Sequence, residues 1–453
     1  MASRLRDAIA PAYLFLCLIL GGSAQGIWQN MVLHLLGLAI IAWAASHRNG
    51  QNASAPVGQL FVIGLLAIGW VAIQAVPLPP SLWTHLGGRG LIVEGYRVLG
   101  VDLPWLPLSV TPYRSLDSLF GLIPPLAMLV AIVSLRAYRA TWLIAALLVG
   151  AIGSVVIGAL QVSGSGNIAN SPWYLYPEAS YGLATGFFAN ANHMASLLVC
   201  TLPFLAALLA SGRELGQRNT GLILVATAAA IFVLVGIALN RSLAIYALTP
   251  PVLAASALLL PQSSSWRRRP AIPVALLVVA VAAGLATTSV RTGQLGSDAQ
   301  SSVQNRGEML ATTGRAIRDF LPWGSGLGSF RSVYQVYEDP SLVTDTYVPH
   351  AHNDYVELAL EAGLPGILLM IAFLAWWARV AVLAWRNPDA GAYARAASIA
   401  SGAILLHSVV DFPLRTAAIG TLLAMCVAML VERPRAAVRP QSDWRPARHV
   451  VIA

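Results

Sequence analysis

Between Tyr347 and Gly366 the sequence reads YVPHAHNDYVELALEAGLPG, which gathers His350, His352, Asn353, Asp354, Glu357 and Glu361 into one short stretch. Histidine titrates near neutral pH and suits general-base work, and carboxylates orient such rings or pair with cations. If a helix begins near Asn353, then Asn353, Glu357 and Glu361 are spaced four apart and share one stripe. From Ile367 to about Ala384 the chain is apolar, so the polar groups occupy the mouth of a membrane-spanning helix. Pro365 removes a backbone donor and frees the carbonyl of Glu361, which is tolerated only against protein or a wet cavity. Ionisable groups at that depth are costly, so the cluster reads as a functional site facing the interior of a helix bundle. Asp354 taken alone is expected to be a surface acid at the positive end of the helix dipole.

Four further groups are candidates to join it. Asn240-Arg241-Ser242 is a very short connection between two apolar segments, where an arginine is costly unless it meets an anion or a carboxylate. Its plain alternative is a side chain snorkelling to lipid headgroups. Arg306 lies on an expected helix from about Gln304 to Phe320, with Arg315 and Arg318 further along; a solvated helix face is the alternative there. Asn190, Asn192 and His193 lie at the mouth of another apolar segment, able to bind sugar hydroxyls, with helix capping the simpler reading of Asn190. The fainter fourth group is HSVVDFPLR, His407 to Arg415, in which Asp411 is expected to pair with Arg415.

The elements that must position these residues are membrane spans. The chain has 453 residues, 57% hydrophobic and 10% charged, with a mean hydropathy of +0.68. A soluble domain carries about 25% charged residues, so the composition is that of an all-α integral membrane protein. Apolar segments of spanning length fall at 9–25, 27–46, 58–77, 115–135, 141–162, 186–210, 220–238, 242–261, 271–289, 353–384, 394–410 and 416–431. The apolar run after Arg4 and Arg6 is taken as the first of these twelve transmembrane helices rather than as a cleaved signal. Residues 1–289 thus hold helices 1–9, 290–352 form a large loop, 353–431 hold helices 10–12, and 432–453 form a basic tail.

All 28 basic residues are arginine, and the formal net charge is +9. Eighteen of them fall in one alternating set of short loops and tails, which places both termini in the cytoplasm by the positive-inside rule. The long segments 78–114, 163–185 and 290–352 then lie on the periplasmic side. Trp83 and Trp105 in the first of these suit an interfacial position. Met309, Leu310, Ile317 and Phe320 recur at helical spacing in the third, which favours a folded cap over a linker. The basic excess is not read as nucleic-acid binding. Cys17, Cys200 and Cys426 lie in apolar runs without paired spacing, so neither a disulfide framework nor a metal site is expected.

The equipment is therefore histidine, carboxylates and arginines without an Asp-x-Asp pair or a phosphate-binding glycine loop. Guanidinium forks neutralise a lipid-borne diphosphate without a metal. A histidine can take the proton of a sugar hydroxyl as it attacks an anomeric carbon, while arginines stabilise the departing charge.

At these residues the chain resembles the O-antigen ligase and O-antigen polymerase superfamily of bacterial membrane glycosyltransferases. The similar pieces are HAHNDYVELALEAGLPG at His350–Gly366, NRGEMLATTGRAIRDFLPWGSGLGSF at Asn305–Phe330, NRS at Asn240–Ser242 and GFFANANHMA at Gly186–Ala195. Together they span about 180–415. The resemblance implies a C-type glycosyltransferase-like fold in the inner membrane, with the active site facing the periplasm. It implies no cofactor, an undecaprenyl-diphosphate-linked glycan as donor, and lipid A-core or another glycan as acceptor, among membrane lipids. Carried over, His352 is the base or orients the acceptor, His350 is its rival, Arg241 and Arg306 hold the diphosphate, and Glu357 or Glu361 orients a histidine or arginine. Asn353, Asn190, Asn192 and His193 are carried as substrate-binding candidates. Ligation to lipid A-core leads, with polymerisation and protein O-oligosaccharyl transfer using the same donor chemistry. A transporter is the reading from a different class; it predicts inverted repeats and broken helices in matching halves, which the sequence does not display.

Overall fold

The computed structural model describes residues 2–24, 27–47, 54–163, 171–214, 220–260, 292–343 and 348–432. About 75% of the described residues are helical. The described sheet structure is one antiparallel ladder in which Pro77 faces Pro107 and Leu78 faces Leu106.

The main helices are α1 (Ile9–Leu20), α2 (Trp28–Ser46), α3 (Ala55–Gln74), α4 (Pro112–Val133, interrupted at Leu122), α5 (Ala140–Val162), α6 (Ala191–Glu214) and α7 (Thr220–Asn240). They continue as α8 (Leu243–Ala257), α9 (Thr292–Phe320), α10 (Phe330–Tyr337), α11 (Asp354–Arg386), α12 (Gly391–His407) and α13 (Ala417–Val431). Seven of these, α2 to α7 and α11, are long and apolar enough to cross a membrane, and α8 and α13 are shorter apolar helices. The first expected span is cut back: α1 has 12 residues, about 18 Å of helix, against a hydrocarbon core of about 30 Å. The expected segment 271–289 and nearly all of the basic tail, from Arg433 onward, lie outside the described residues.

Burial sorts the helices. The apolar window of α6 is 83% buried inside the molecule, against 17% to 44% in the other six spans. α6 is therefore the central post, packed on α7, α8 and α12, while α13 packs on α4 and α12, and α11 on α3 and α9. Leu35, Leu65, Val149, Leu224 and Leu368 are exposed, as apolar side chains on the rim of a bundle are when lipid is their solvent.

Loops that alternate along the chain meet at one end of the bundle. There Ala418 N–H donates to Gly21 O, Ala189 N–H to Gly22 O, Ser109 N–H to Gln74 O, and Val110 N–H to Ser325 O. At the other end Arg136 pairs with Glu432 at 3.2 Å, and Arg6 bonds Leu135 O. The site lies at the first end. A second, smaller core forms there from Met309, Ala316, Phe320, Phe330, Val333, Tyr334, Ala351 and Leu360. The helix expected from Gln304 to Phe320 begins earlier, at Thr292, and Leu310 is exposed rather than inward. Trp83 is also not interfacial: it is fully buried, its indole N–H donating to Pro104 O at 2.8 Å, whereas Trp105 is 65% exposed.

Candidate functional site

The site is built on a helix that breaks where its sequence says it should. Asn353 caps α11, its Oδ1 accepting the N–H groups of Tyr355 and Val356 at 3.0 Å each, which satisfies two orphan donors of the first turn. Ten residues on, Gly363 adopts φ 60° and ψ −155° and kinks the helix, with Pro365 two residues beyond. That backbone region is open essentially to glycine alone. The carbonyls freed by the kink all find donors. Leu360 O accepts from Ser325 N–H and Glu361 O from Gly326 N–H, at 2.9 Å each. Gln74 also donates to Glu361 O at 3.0 Å, and the Trp70 indole to Ala362 O at 2.9 Å. The glycine turn 324–328 is thus the partner that makes the break affordable in a membrane protein.

The first turns of α11 meet the α12–α13 connection. Ser408 O accepts from Asp354 N–H at 2.9 Å, and Ser408 Oγ donates to Asp354 Oδ2 at 2.9 Å. Arg415 reaches three carboxylates: Asp354 at 3.5 Å, Glu357 at 3.2 Å and Glu361 at 3.2 Å. Burial alone would lower the Arg415 guanidinium; the three acids outweigh it and hold it above its ordinary value. Asp354 is therefore a buried ion-pair partner and not a surface acid at a helix start. Arg415 is likewise not the partner of Asp411.

Glu361 is fully buried, and Oε1 accepts the Phe330 N–H at 3.0 Å. It ties the glycine turn to α11 and has no open side. Glu357, 1% exposed, accepts from Ala351 N–H at 2.8 Å and lies 2.8 Å from His350 Nδ1.

Asp411 instead faces histidines. His352 Nδ1 lies 3.3 Å from Asp411 Oδ1, at ion-pair distance though without hydrogen-bond alignment. His407 Nε2 lies 3.8 Å from Oδ2. Burial alone would raise the Asp411 carboxyl; the His352 ring beside it and the charges of His193 and His407 hold it well below the usual carboxylate range. The Phe412 ring packs against His350, His352 and His193, with centroids 4.3, 4.9 and 5.1 Å away. Half of the chain's eight histidines are gathered round this one dipeptide.

The remaining candidates flank it. Arg306 on α9 is half-buried and close enough to His407 for their charges to interact. Asn190 Oδ1 accepts the Asn192 N–H at 2.8 Å, so it caps α6, and Asn192 is partly exposed beside it. His193 is 2% exposed, and neither ring nitrogen has a hydrogen-bond partner. Asn240 Nδ2 donates to Ala184 O and Ala191 O at 2.7 Å each, pinning the end of α7 to the mouth of α6. Arg241 follows it and is exposed. Arg241 (φ 63°) and His352 (φ 49°) are two of three non-glycine residues with positive φ among the described residues. Such strain persists where surrounding structure over-determines it, and it clusters at functional positions. An apolar groove of about 670 Å³ lies elsewhere, at the opposite end of α3 and α11, lined by Gly58, Val62 and Trp376. It carries none of this chemistry.

Residues 227–371 match a family model described as O-antigen ligase. The match contains Arg241, Arg306, His350, His352, Glu357 and Glu361, and stops short of Asp411 and Arg415. No curated protein matches the chain.

Proposed function

We propose that the chain, whose residues 227–371 match a family model described as O-antigen ligase, is a membrane glycosyltransferase of the O-antigen ligase and polymerase superfamily that transfers a glycan from undecaprenyl diphosphate to lipid A-core on the periplasmic face of the inner membrane. The observation that carries this reading is the His352–Asp411 pair at 3.3 Å, with Arg306 close enough to His407 for their charges to interact.

Two histidine–carboxylate pairs compete for the role of base, and the commitments of the carboxylates decide between them. Glu357 already serves Arg415 and the Ala351 N–H. Among the described residues Asp411 pairs with no arginine; beyond the Phe412 N–H at 2.9 Å it faces histidines and can stabilise an imidazolium, as the carboxylate of a catalytic triad does. In this mechanism His352 takes the proton of an acceptor hydroxyl and its oxygen attacks the anomeric carbon. The bond from that carbon to the phosphate oxygen breaks, and the lipid diphosphate leaves with the electron pair. Arg306 and Arg241 neutralise the departing charge, a bidentate task for guanidinium groups. Glu361 and Arg415 position the helix mouth and do not touch substrate.

The glycolipid profile of a deletion strain tests the assignment. Carrier-linked polymer that never reaches lipid A-core is the expected result. Single repeat units on the core would make the chain a polymerase, unglycosylated protein would make it a protein glycosyltransferase, and an unchanged profile would remove the proposal. Within a complemented strain, Arg241→Ala and Arg306→Ala should each abolish transfer with the protein still inserted.

A further inference from the structure

Behind Asp411 lies a buried arm that the transfer chemistry does not use. Ser196, on the central helix α6, is 1% exposed, and its Oγ lies 2.6 Å from His407 Nδ1. His407 is fully buried, and its Nε2 faces Asp411 Oδ2 at 3.8 Å, an electrostatic contact rather than a hydrogen bond. The other Asp411 oxygen faces His352. The order is Ser196, His407, Asp411, His352, so one carboxylate is shared between an inner and an outer histidine.

The hydroxyl of Ser196 has a single hydrogen and two acceptors within reach, His407 Nδ1 and Asn192 O at 3.1 Å. If it donates to His407, the neutral ring carries its hydrogen on Nε2, toward Asp411. If it turns to Asn192 O, it accepts from Nδ1–H, and a hydrogen on Nε2 makes the ring an imidazolium. A bare lone pair on Nε2 would face a carboxylate, which is unfavourable. Rotating one hydroxyl therefore lets His407 be neutral or charged without moving a heavy atom, and in both forms a hydrogen points at Asp411.

We propose that Ser196 and His407 form an inner arm that sets how strongly Asp411 holds His352, and with it the pH range over which His352 accepts a proton. The inference rests on the reading of His352 as base and adds its regulation. Each hydrogen aimed at Asp411 from inside draws on the charge that otherwise serves His352. The other groups facing this arm are His193 on α6, His350 beside His352, and Arg306 on α9. His407 and Ser196 are positioning residues that act through Asp411.

The test titrates His352 directly in the purified full chain. Diethyl pyrocarbonate modifies neutral imidazoles, so site-resolved mass spectrometry across pH 5 to 8 reports the midpoint of His352, whose side chain is 25% exposed. His407→Phe should raise that midpoint by roughly 0.5 pH unit, because Asp411 loses the competing field of the inner ring. His407→Gln, which restores an N–H, should return it part way. Ser196→Ala should raise it less, since a charged His407 loses the acceptor for Nδ1–H. The acid limb of the transfer rate should move in the same direction as the midpoint. An unmoved or lowered midpoint in folded His407→Phe overturns the arm; if that variant does not insert, an unmoved midpoint in Ser196→Ala does so. Transfer that proceeds with no midpoint shift leaves the glycosyltransferase reading standing without the arm. A midpoint shift in a protein that transfers no glycan leaves the arm standing without that reading.

Discussion

Arg415 meets three carboxylates while only 18% of its side chain is exposed, and that burial decides what the contacts are worth. Arg97 and Glu94 also pair, at 2.8 Å, but are 77% and 52% exposed, where an ion pair contributes about 0–1 kcal/mol. Removing one partner of a buried network costs about 3–5 kcal/mol, because the remaining charges stay buried without compensation. Arg415→Met should therefore lower the melting temperature in micelles sharply, and Arg97→Ala should leave it within error. Asp411 gives a pH prediction. Its folded value lies below the ordinary one, so its stabilising contribution is present above about pH 4 and is lost only as pH falls through the depressed value. The part of the stability difference between wild type and Asp411→Asn that comes from the ionised carboxylate should accordingly be lost only in acid stronger than about pH 4. His350, His352, Glu357 and Glu361 were legible in the sequence because ionisable groups are out of place in a helix mouth. The partners of Asp411 and Arg415 were not. Four residues apart, they suggest one helical pair, but Phe412 leaves the helical region and Pro413–Arg415 is a short 3-10 turn. The two side chains therefore serve different clusters, one of them formed with acids 54 to 61 positions away.

At the scale of elements, the kink at Gly363 and the turn at Gly324 make one joint. A Cβ on Gly363 would lie 2.4 Å from Pro322 O and 2.5 Å from Gly324 N, and one on Gly324 would lie 2.5 Å from Glu361 O. Both residues have positive φ, so alanine meets backbone strain of about 1–3 kcal/mol in addition to the clash. Gly363→Ala and Gly324→Ala should each lower the melting temperature and the transfer rate together. Gly314, on α9 with open space around it, is the control: alanine there should be neutral or stabilising by about 0.5–1 kcal/mol. The sequence announced this joint through Pro365 and the run of glycines. It could not announce that Gln74 and Trp70, almost three hundred residues upstream, close the exposed carbonyls. The early end of α1 coincides with Gly21-Gly22, where the apolar run stops. Trp83 misled because an indole suits a membrane interface and a loop core alike, and only tertiary contact separates the two.

For the whole molecule, alternate loops gather at opposite ends of the bundle, and arginine placement predicts that the end with Arg6 and Arg136 faces the cytoplasm. The three cysteines are all buried, so introduced thiols report against a low background. Ser341→Cys, beside the active-site end, should react with an impermeant maleimide from the periplasm, and Asp389→Cys, between α11 and α12, should react only after the membrane is opened. The reverse pattern would turn the site toward the wrong pool of substrate. The expected sidedness rests on composition, since charge in short loops follows the membrane potential and the insertion machinery. Convergence was not legible there, because it depends on packing around α6. The account stands on His352 as the group that accepts the proton. Its most direct test is single-turnover transfer by the purified protein in nanodiscs, from a polyprenyl-diphosphate glycan to lipid A-core, with His352→Ala and His350→Ala compared at equal donor binding. Loss of turnover by about 10²-fold or more in His352→Ala, with a smaller loss in His350→Ala, is the predicted outcome. Full turnover in His352→Ala would contradict it.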